Sequence, residues 1–169
     1  GDLIASPKLV LPWLMGALGV PVWMTGLLVP IRESLALLPQ LAVAGWMRTQ
    51  PRRKWFWVAG AAIQGASVVA MIAVAITLTA VAAGAAILAL LAVFSLGRGI
   101  CSVSYKDVQG KTIAKTRRGT LSGYAASAAG GVAVALGLLL WLTPIGNATL
   151  TPLLVLLAIA GAAWLFAAI

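Results

Sequence analysis

Apolar positions along this chain come in long blocks rather than in narrow stripes. Trp55–Leu78, Ala85 to about Gly110, Gly119–Leu142 and Pro152–Ile169 are each dominated by Ala, Val, Leu, Ile and Gly. A helix rises 1.5 Å per residue, so about 20 apolar residues cross a hydrocarbon core of about 30 Å. These four blocks meet or approach that length. The polar breaks between them are a weak one at Thr79–Gly84, a basic one at Lys111–Arg118, and Thr143–Thr151, which carries Pro144 and Gly146.

The first fifty residues admit two divisions. A hairpin tip at Pro30–Ser34 would put Arg32 and Glu33 in water. It leaves Leu35–Met47 as a second helix of only about 20 Å, too short to span. A turn at Gly19–Pro21 instead gives a first helix from Asp2 to Leu18, shortened because the sequence begins inside it, and a second from about Val22 to Met47. The second division is preferred. It places Arg32 and Glu33 near the middle of the bilayer.

Charge adds orientation to this pattern. Eight of the twelve Lys and Arg residues fall in two short segments, Arg48, Arg52, Arg53, Lys54 and Lys111, Lys115, Arg117, Arg118. Basic loops stay on the cytoplasmic side. The expected fold is therefore an all-α membrane protein, a bundle of six transmembrane helices with both ends cytoplasmic. Residues 1–169 form one unit with cytoplasmic loops at about 48–54 and 111–118. Trp46, Trp55 and Trp57 flank the first basic loop, while Trp13, Trp23 and Trp141 fall near outer ends and Trp164 nears an inner one. Both interfaces favour amphipathic rings.

Composition excludes several classes. The residues are 62% hydrophobic and 9% charged, with mean hydropathy +1.06. Water-soluble domains hold about a quarter charged residues. The net charge of +9 does not point to nucleic acid, because the cations cluster at membrane edges, beside anionic headgroups. Cys101 is the sole cysteine and there is no histidine. No zinc or di-iron site, no other cofactor, no internal disulfide and no His-dependent hydrolase is expected.

The fifth helix carries Gly119, Gly123, Ser127, Gly131 and Ala135 at four-residue spacing. These share one face and are expected to let a neighbouring helix approach closely. Pro30 and Pro39 each remove a backbone donor from the second helix, which suggests a kink beside a cavity.

Asp2, Lys8, Arg32, Glu33 and Arg98 all fall inside expected spans. A charge at a helix centre costs about 2.5–3.5 kcal/mol on insertion scales, and such residues line cavities or proton paths. Glu33, Ala36 and Gln40 share a face of the second helix; Arg98, Ser102, Tyr105 and Gln109 share one of the fourth. The candidate substrate or ion pathway is therefore Asp2, Lys8, Arg32, Glu33, Gln40 and Arg98. Cross-helix pairs such as Glu33 with Lys8 or Arg98, and Asp2 with Arg32, would serve structure equally well. Glu33 is the candidate protonatable group, since a carboxylate in low-dielectric surroundings holds its proton more tightly. Cations outnumber anions in this set, which points to an anionic solute. Lys106 and Asp107 lie near the cytoplasmic end of the fourth helix, as a local surface pair or part of a gate.

Three passages carry a resemblance. Gly45-Trp-Met-Arg-Thr-Gln-Pro-Arg-Arg-Lys54 is similar to the loop Gly-x-x-x-Asp-Arg-x-Gly-Arg-Arg of the major facilitator superfamily, with Thr49 in place of the Asp and Arg52 in place of the second Gly. Asp107, Arg117-Arg118-Gly119 and Leu121-Ser-Gly123 resemble that family's passage from fourth to fifth helix. Leu18-Gly-Val-Pro-Val-Trp-Met-Thr-Gly26 resembles its outer turn into a Gly-marked second helix. The Gly-Pro of the family's antiporter signature is absent at Gly130-Gly131. The resemblance implies the amino-terminal half of a twelve-helix transporter, with substrate between the halves and alternating access by rocking. The partners implied are the lipid bilayer, a small solute and a carboxy-terminal six-helix half. Arg52, Arg53, Lys54, Lys106, Asp107 and Arg118 would form the cytoplasmic gate.

The expected function is secondary active transport of a small solute across the cytoplasmic membrane, coupled to an ion gradient. The alternative is a membrane scaffold, or a permease subunit working with a separate ATPase. An intramembrane enzyme would need a nucleophile–base pair or a metal set that the sequence does not offer.

Overall fold

The computed structural model describes residues 10–37, 54–112, 114–142 and 150–166. Helices are the only regular elements among them. They are α1 (Val10–Ala17), α2 (Val22–Gly26), α3 (28–37), α4 (Lys54–Thr77), α5 (Ala80–Thr112), α6 (Lys115–Leu142) and α7 (Leu150–Phe166).

The turn falls at Gly19–Pro21, and residues 30–34 are helical. Local chemistry explains both. Gly19 has φ +70°, and its amide donates to the Gly16 carbonyl while that of Val20 donates to Met15. This is the Schellman closure of a helix, which needs a residue that tolerates the left-handed region. Pro21 then blocks continuation. Beyond it, α2 and α3 run on through Leu27, which keeps helical dihedrals of φ −77° and ψ −14°. The break at Gly26–Leu27 sits four residues before Pro30. Proline has no N–H for the Gly26 carbonyl and its ring crowds that oxygen.

The other boundaries shift modestly. α4 matches expectation within a residue. α5 begins at Ala80, so the break before it is Leu78–Thr79 alone rather than Thr79–Gly84. The second basic loop is largely helical: Lys111 lies in the last turn of α5 and Lys115, Arg117 and Arg118 in the first turn of α6. Helix formation there leaves the basic residues clustered but removes the loop.

α4 packs along α5 on one side and α7 on another, while α1 and α2 touch α7 and α5. The shared core comprises Leu11, Leu14 and Met15 of α1, Met71 of α4, Ile87, Leu91 and Phe94 of α5, and Leu157 of α7. Phe94 meets Trp164 edge to face at 6.4 Å. The turn after α1 and the turn after α4 are tied together, since the Ala80 amide donates to the Leu18 carbonyl at 2.9 Å. α2–α3 and α5 therefore start from the same end of the bundle.

Among the described residues, α4 and α5 are long and apolar enough to cross a membrane. The outer surface is apolar as well, with Trp13, Val22, Trp23, Ile76, Val134 and Phe166 all more than half exposed.

One packing expectation is not met among the described residues. The small-residue stripe of α6 does not meet another described helix. Gly119, Gly123, Ser127, Gly131 and Ala135 are exposed, and a Cβ built on any of the three glycines would meet open space. The close helix contacts lie elsewhere, at Gly60, Gly65, Gly84 and Gly97.

Candidate functional site

The six expected pathway residues divide. Asp2, Lys8 and Gln40 lie outside the described residues, as do Arg52 and Arg53 of the expected gate. Arg32, Glu33 and Arg98 are described, and two of them meet. The Glu33 carboxylate stands 4.0 Å from the Arg98 guanidinium, across α3 and α5.

The helix register explains how they reach each other. A Cβ on Gly84 would touch Val20 and Met24, so Met24 and Gly84 lie at one level. Glu33 is nine residues beyond Met24, and Arg98 is fourteen beyond Gly84. The five-residue difference is about 7.5 Å along the axis. Side chains in a helix tilt toward its N-terminus, so the long Arg98 side chain leans back toward Glu33.

The adjacent residues Arg32 and Glu33 diverge, as a 100° step per residue demands. Arg32 is buried, and so is Ala36 one turn on. Glu33 faces outward with its side chain 57% exposed, and Arg98 is 34% exposed. The burial expected to favour a proton on Glu33 is thus not present among the described residues. At this exposure and distance the pair contributes under about 1 kcal/mol, so its value lies in placing opposite charges rather than in holding the bundle.

The expected face of Glu33, Ala36 and Gln40 is also modified: Ala36 turns into the core while Glu33 does not. On α5, Tyr105 is exposed and packs tilted against Trp57 of α4 at 6.2 Å.

At the other end of α5, Asp107 pairs with Lys111 at 3.5 Å. That pair, one helical turn apart, is the local contact expected for Asp107, with Lys111 rather than Lys106 as partner. Lys106 is exposed. Arg118 donates a 2.6 Å hydrogen bond to the Gly110 carbonyl, stapling the α5–α6 junction. Lys54 starts α4 with its ammonium 5.7 Å from the Trp55 ring centroid, within cation–π range.

A polar cluster at the α4–α5 crossing was not anticipated. The Gln64 side chain is fully buried. Its Nε2 donates to the Gly60 carbonyl at 3.2 Å and to Cys101 Sγ at 3.3 Å. The Cys101 thiol donates to the Trp57 carbonyl at 3.6 Å. Gln64 Oε1 has no hydrogen-bond partner. The legible signal was the pair Gly97 and Cys101, small residues four apart. Other buried hydroxyls satisfy themselves along their own helix, Ser67 to Ile63, Ser95 to Leu91 and Ser104 to Ile100, as a low-dielectric interior requires. Among the described residues no group of three or more His, Cys, Asp or Glu could hold a metal ion.

No family model, curated protein or solved structure matches this chain.

Proposed function

We propose that this chain is one six-helix half of a secondary transporter of the major facilitator type, carrying a small anionic solute across the cytoplasmic membrane by alternating access. The observation that carries the reading is the approach of Glu33 and Arg98 from two helices, with Arg32 buried beside Glu33 in sequence. Arg98 belongs to α5, whose length and apolarity suit a membrane span, and Arg32 and Glu33 to the stretch from Val22 onward that the sequence leads one to expect as a second span. A charge exposed to lipid at that depth is costly, whereas one facing a watery cavity is not. Half-exposed charges inside such segments therefore favour a shared aqueous interior, closed by the carboxy-terminal half of the parent protein. In the expected pathway set Lys8, Arg32 and Arg98 outnumber Asp2 and Glu33, which favours an anionic substrate group.

In this reading the basic cluster at the α5–α6 junction faces the cytoplasm, and Asp107, Lys106 and Arg118 belong to the gate. Uptake into vesicles by the full-length parent, with and without a proton gradient, tests the assignment. Glu33→Gln, Arg32→Ala and Arg98→Ala are each expected to reduce uptake by tenfold or more at unchanged protein level. Wild-type rates in all three would remove these residues from the mechanism. Recovery of the native protein bound to an ATPase would favour a permease subunit instead.

A further inference from the structure

No Asp, Glu, Lys or Arg falls between Val10 and Ile31 or between Trp55 and Gly97. Each stretch folds back on itself, one at Gly19–Pro21 and the other at Leu78–Ala80. The two turns are joined by the bond from the Ala80 amide to the Leu18 carbonyl. They form the end of the bundle remote from Lys54, which starts α4, and Lys111, which lies in the last turn of α5. Turns that stand in water draw on Asn, Asp and Ser beside Gly and Pro. From Leu18 to Pro21 and from Leu78 to Ala80, only Thr79 has a polar side chain.

The backbone donors that close these turns bond within the protein. The amides of Leu18, Gly19 and Val20 donate to Leu14, Gly16 and Met15, that of Leu78 donates to Val74, and Pro21 has none to offer. The Thr77 hydroxyl folds back onto the Ala73 carbonyl at 2.8 Å. Ala80 reaches Leu18 from φ +52°, a left-handed conformation that its Cβ opposes. In water a turn amide finds solvent and needs no such backbone. Where water is scarce an unmet amide is costly. An uncharged turn that takes on a strained backbone to satisfy a donor belongs in water-poor surroundings.

The side chains around it identify what replaces the water. Trp13, Val22, Trp23, Ile76 and Val81 are each more than half exposed, and they come from α1, α2, α4 and α5. A docked protein would cover one face; exposure on four helices suits a medium that surrounds them all. Trp13 lies five residues before Leu18 and Trp23 two after Pro21, so both start within about 8 Å of the turn along their helices. An indole offers an apolar body and one N–H donor, which suits the boundary where lipid ester groups meet acyl chains. We infer that this end of the bundle is seated in the interfacial layer of a phospholipid bilayer, with Trp13 and Trp23 at the level of the ester carbonyls and the two turns held out of bulk water. The inference rests on the membrane placement proposed above.

The test places the full-length protein, freed of its native cysteines (Cys101→Ser among them), in phosphatidylcholine nanodiscs, where reagents reach both faces. Val22→Cys and Thr79→Cys report on the turn end, Val93→Cys and Ile159→Cys on mid-span, and Lys106→Cys on the basic end. With a polarity-sensitive dye on each thiol, the two turn positions are expected to be quenched most by a nitroxide at the top of the lipid acyl chain, and the mid-span positions most by one near the chain's end. Without the dye, both turn thiols are expected to react with a membrane-impermeant maleimide about tenfold more slowly than Lys106→Cys, since thiolate forms poorly away from water. Turn thiols that react as fast as Lys106→Cys would place this end in water and overturn the inference. Shielded turn thiols that no lipid nitroxide quenches, beside quenched mid-span positions, would mean a protein cover and overturn it too. Strongest quenching of the turn positions from the chain's end would mean burial in hydrocarbon, with the same consequence. All three outcomes leave the transport reading standing. Absence of lipid quenching at every position would take the chain out of the bilayer and overturn both readings together.

Discussion

A Cβ placed on Gly97 would stand 3.0 Å from the carbonyl oxygen of Gly60, and one placed on Gly60 would stand 2.8 Å from that of Gly97. The α4 and α5 backbones thus touch where each lacks a side chain. In a bilayer, close backbone approach replaces the hydrophobic force that drives helices together in water. Gly60→Ala would also press on Cys101 Sγ at 2.6 Å. Backbone cannot yield cheaply, so Gly60→Ala is expected to destabilise by about 1–3 kcal/mol. Gly84→Ala meets the side chains of Val20 at 2.6 Å and Met24 at 2.9 Å rather than a backbone carbonyl and should cost less, because side chains yield before backbone does, the flexible Met24 more readily than the β-branched Val20. Gly123→Ala, in open space, should cost nothing. Thermal unfolding of the detergent-solubilised variants should rank them in that order; parity of Gly60→Ala with Gly123→Ala would refute the crossing.

The turn after α1 makes a second prediction. Gly19 occupies φ +70° and Ala80 occupies φ +52°. The left-handed region costs a residue with a Cβ about 1–2 kcal/mol. Gly19→Ala should therefore lower stability by about 1 kcal/mol. Ala80→Gly relieves the same conflict in the partner turn and should be neutral or stabilising, net of the greater freedom glycine has when unfolded. Paired melts of the two variants check opposite signs.

Gln64 makes a third. Its Nε2 is satisfied, while its Oε1 is buried without a partner. Gln64→Leu removes the unmet Oε1 together with the Nε2 donor, and the Cys101 thiol keeps its bond to the Trp57 carbonyl, so the loss of the bonds to Gly60 and Cys101 is offset by removal of the orphaned oxygen. Gln64→Leu is expected to stay within about 1 kcal/mol of the wild type. Gln64→Ala leaves a cavity and loses the bond to Cys101, and should cost about 2 kcal/mol or more. Denaturation monitored by maleimide labelling of Cys101, itself only 6% exposed, reads both. Equal losses in the two variants would show that the amide itself is required.

For Glu33 and Arg98 the expectation separates stability from transport. A half-exposed pair at 4.0 Å should give a coupling energy below about 1 kcal/mol in a double-mutant cycle, falling with added salt. On the transport reading proposed above, the same substitutions should abolish most uptake. A coupling of several kcal/mol with unimpaired uptake would make the pair a structural strut.

Much of this architecture could be read from residue order. Local chemistry acts within a turn or two, so Gly19-Val-Pro21 ended α1, Pro30 accounted for the break at Gly26, and long apolar blocks marked α4 and α5 without reference to any neighbour. The divergence of Arg32 from Glu33 followed from helical geometry alone. Helix ends were less legible: Lys111 and Lys115–Arg118 looked like a loop because charge marks exposure, and an exposed helical turn is as charged as a loop.

Partners were decided only in three dimensions. Glycines at four-residue spacing on α6 and the glycines at positions 60 and 97 are equally able to admit a close neighbour, yet only the second set has one among the described helices. Spacing records which face a helix could offer; it holds nothing about which helix arrives there. For the same reason Glu33 could be matched with a cation by charge, whereas the choice of Arg98 came from the common starting level of α2 and α5 and the backward lean of a long side chain.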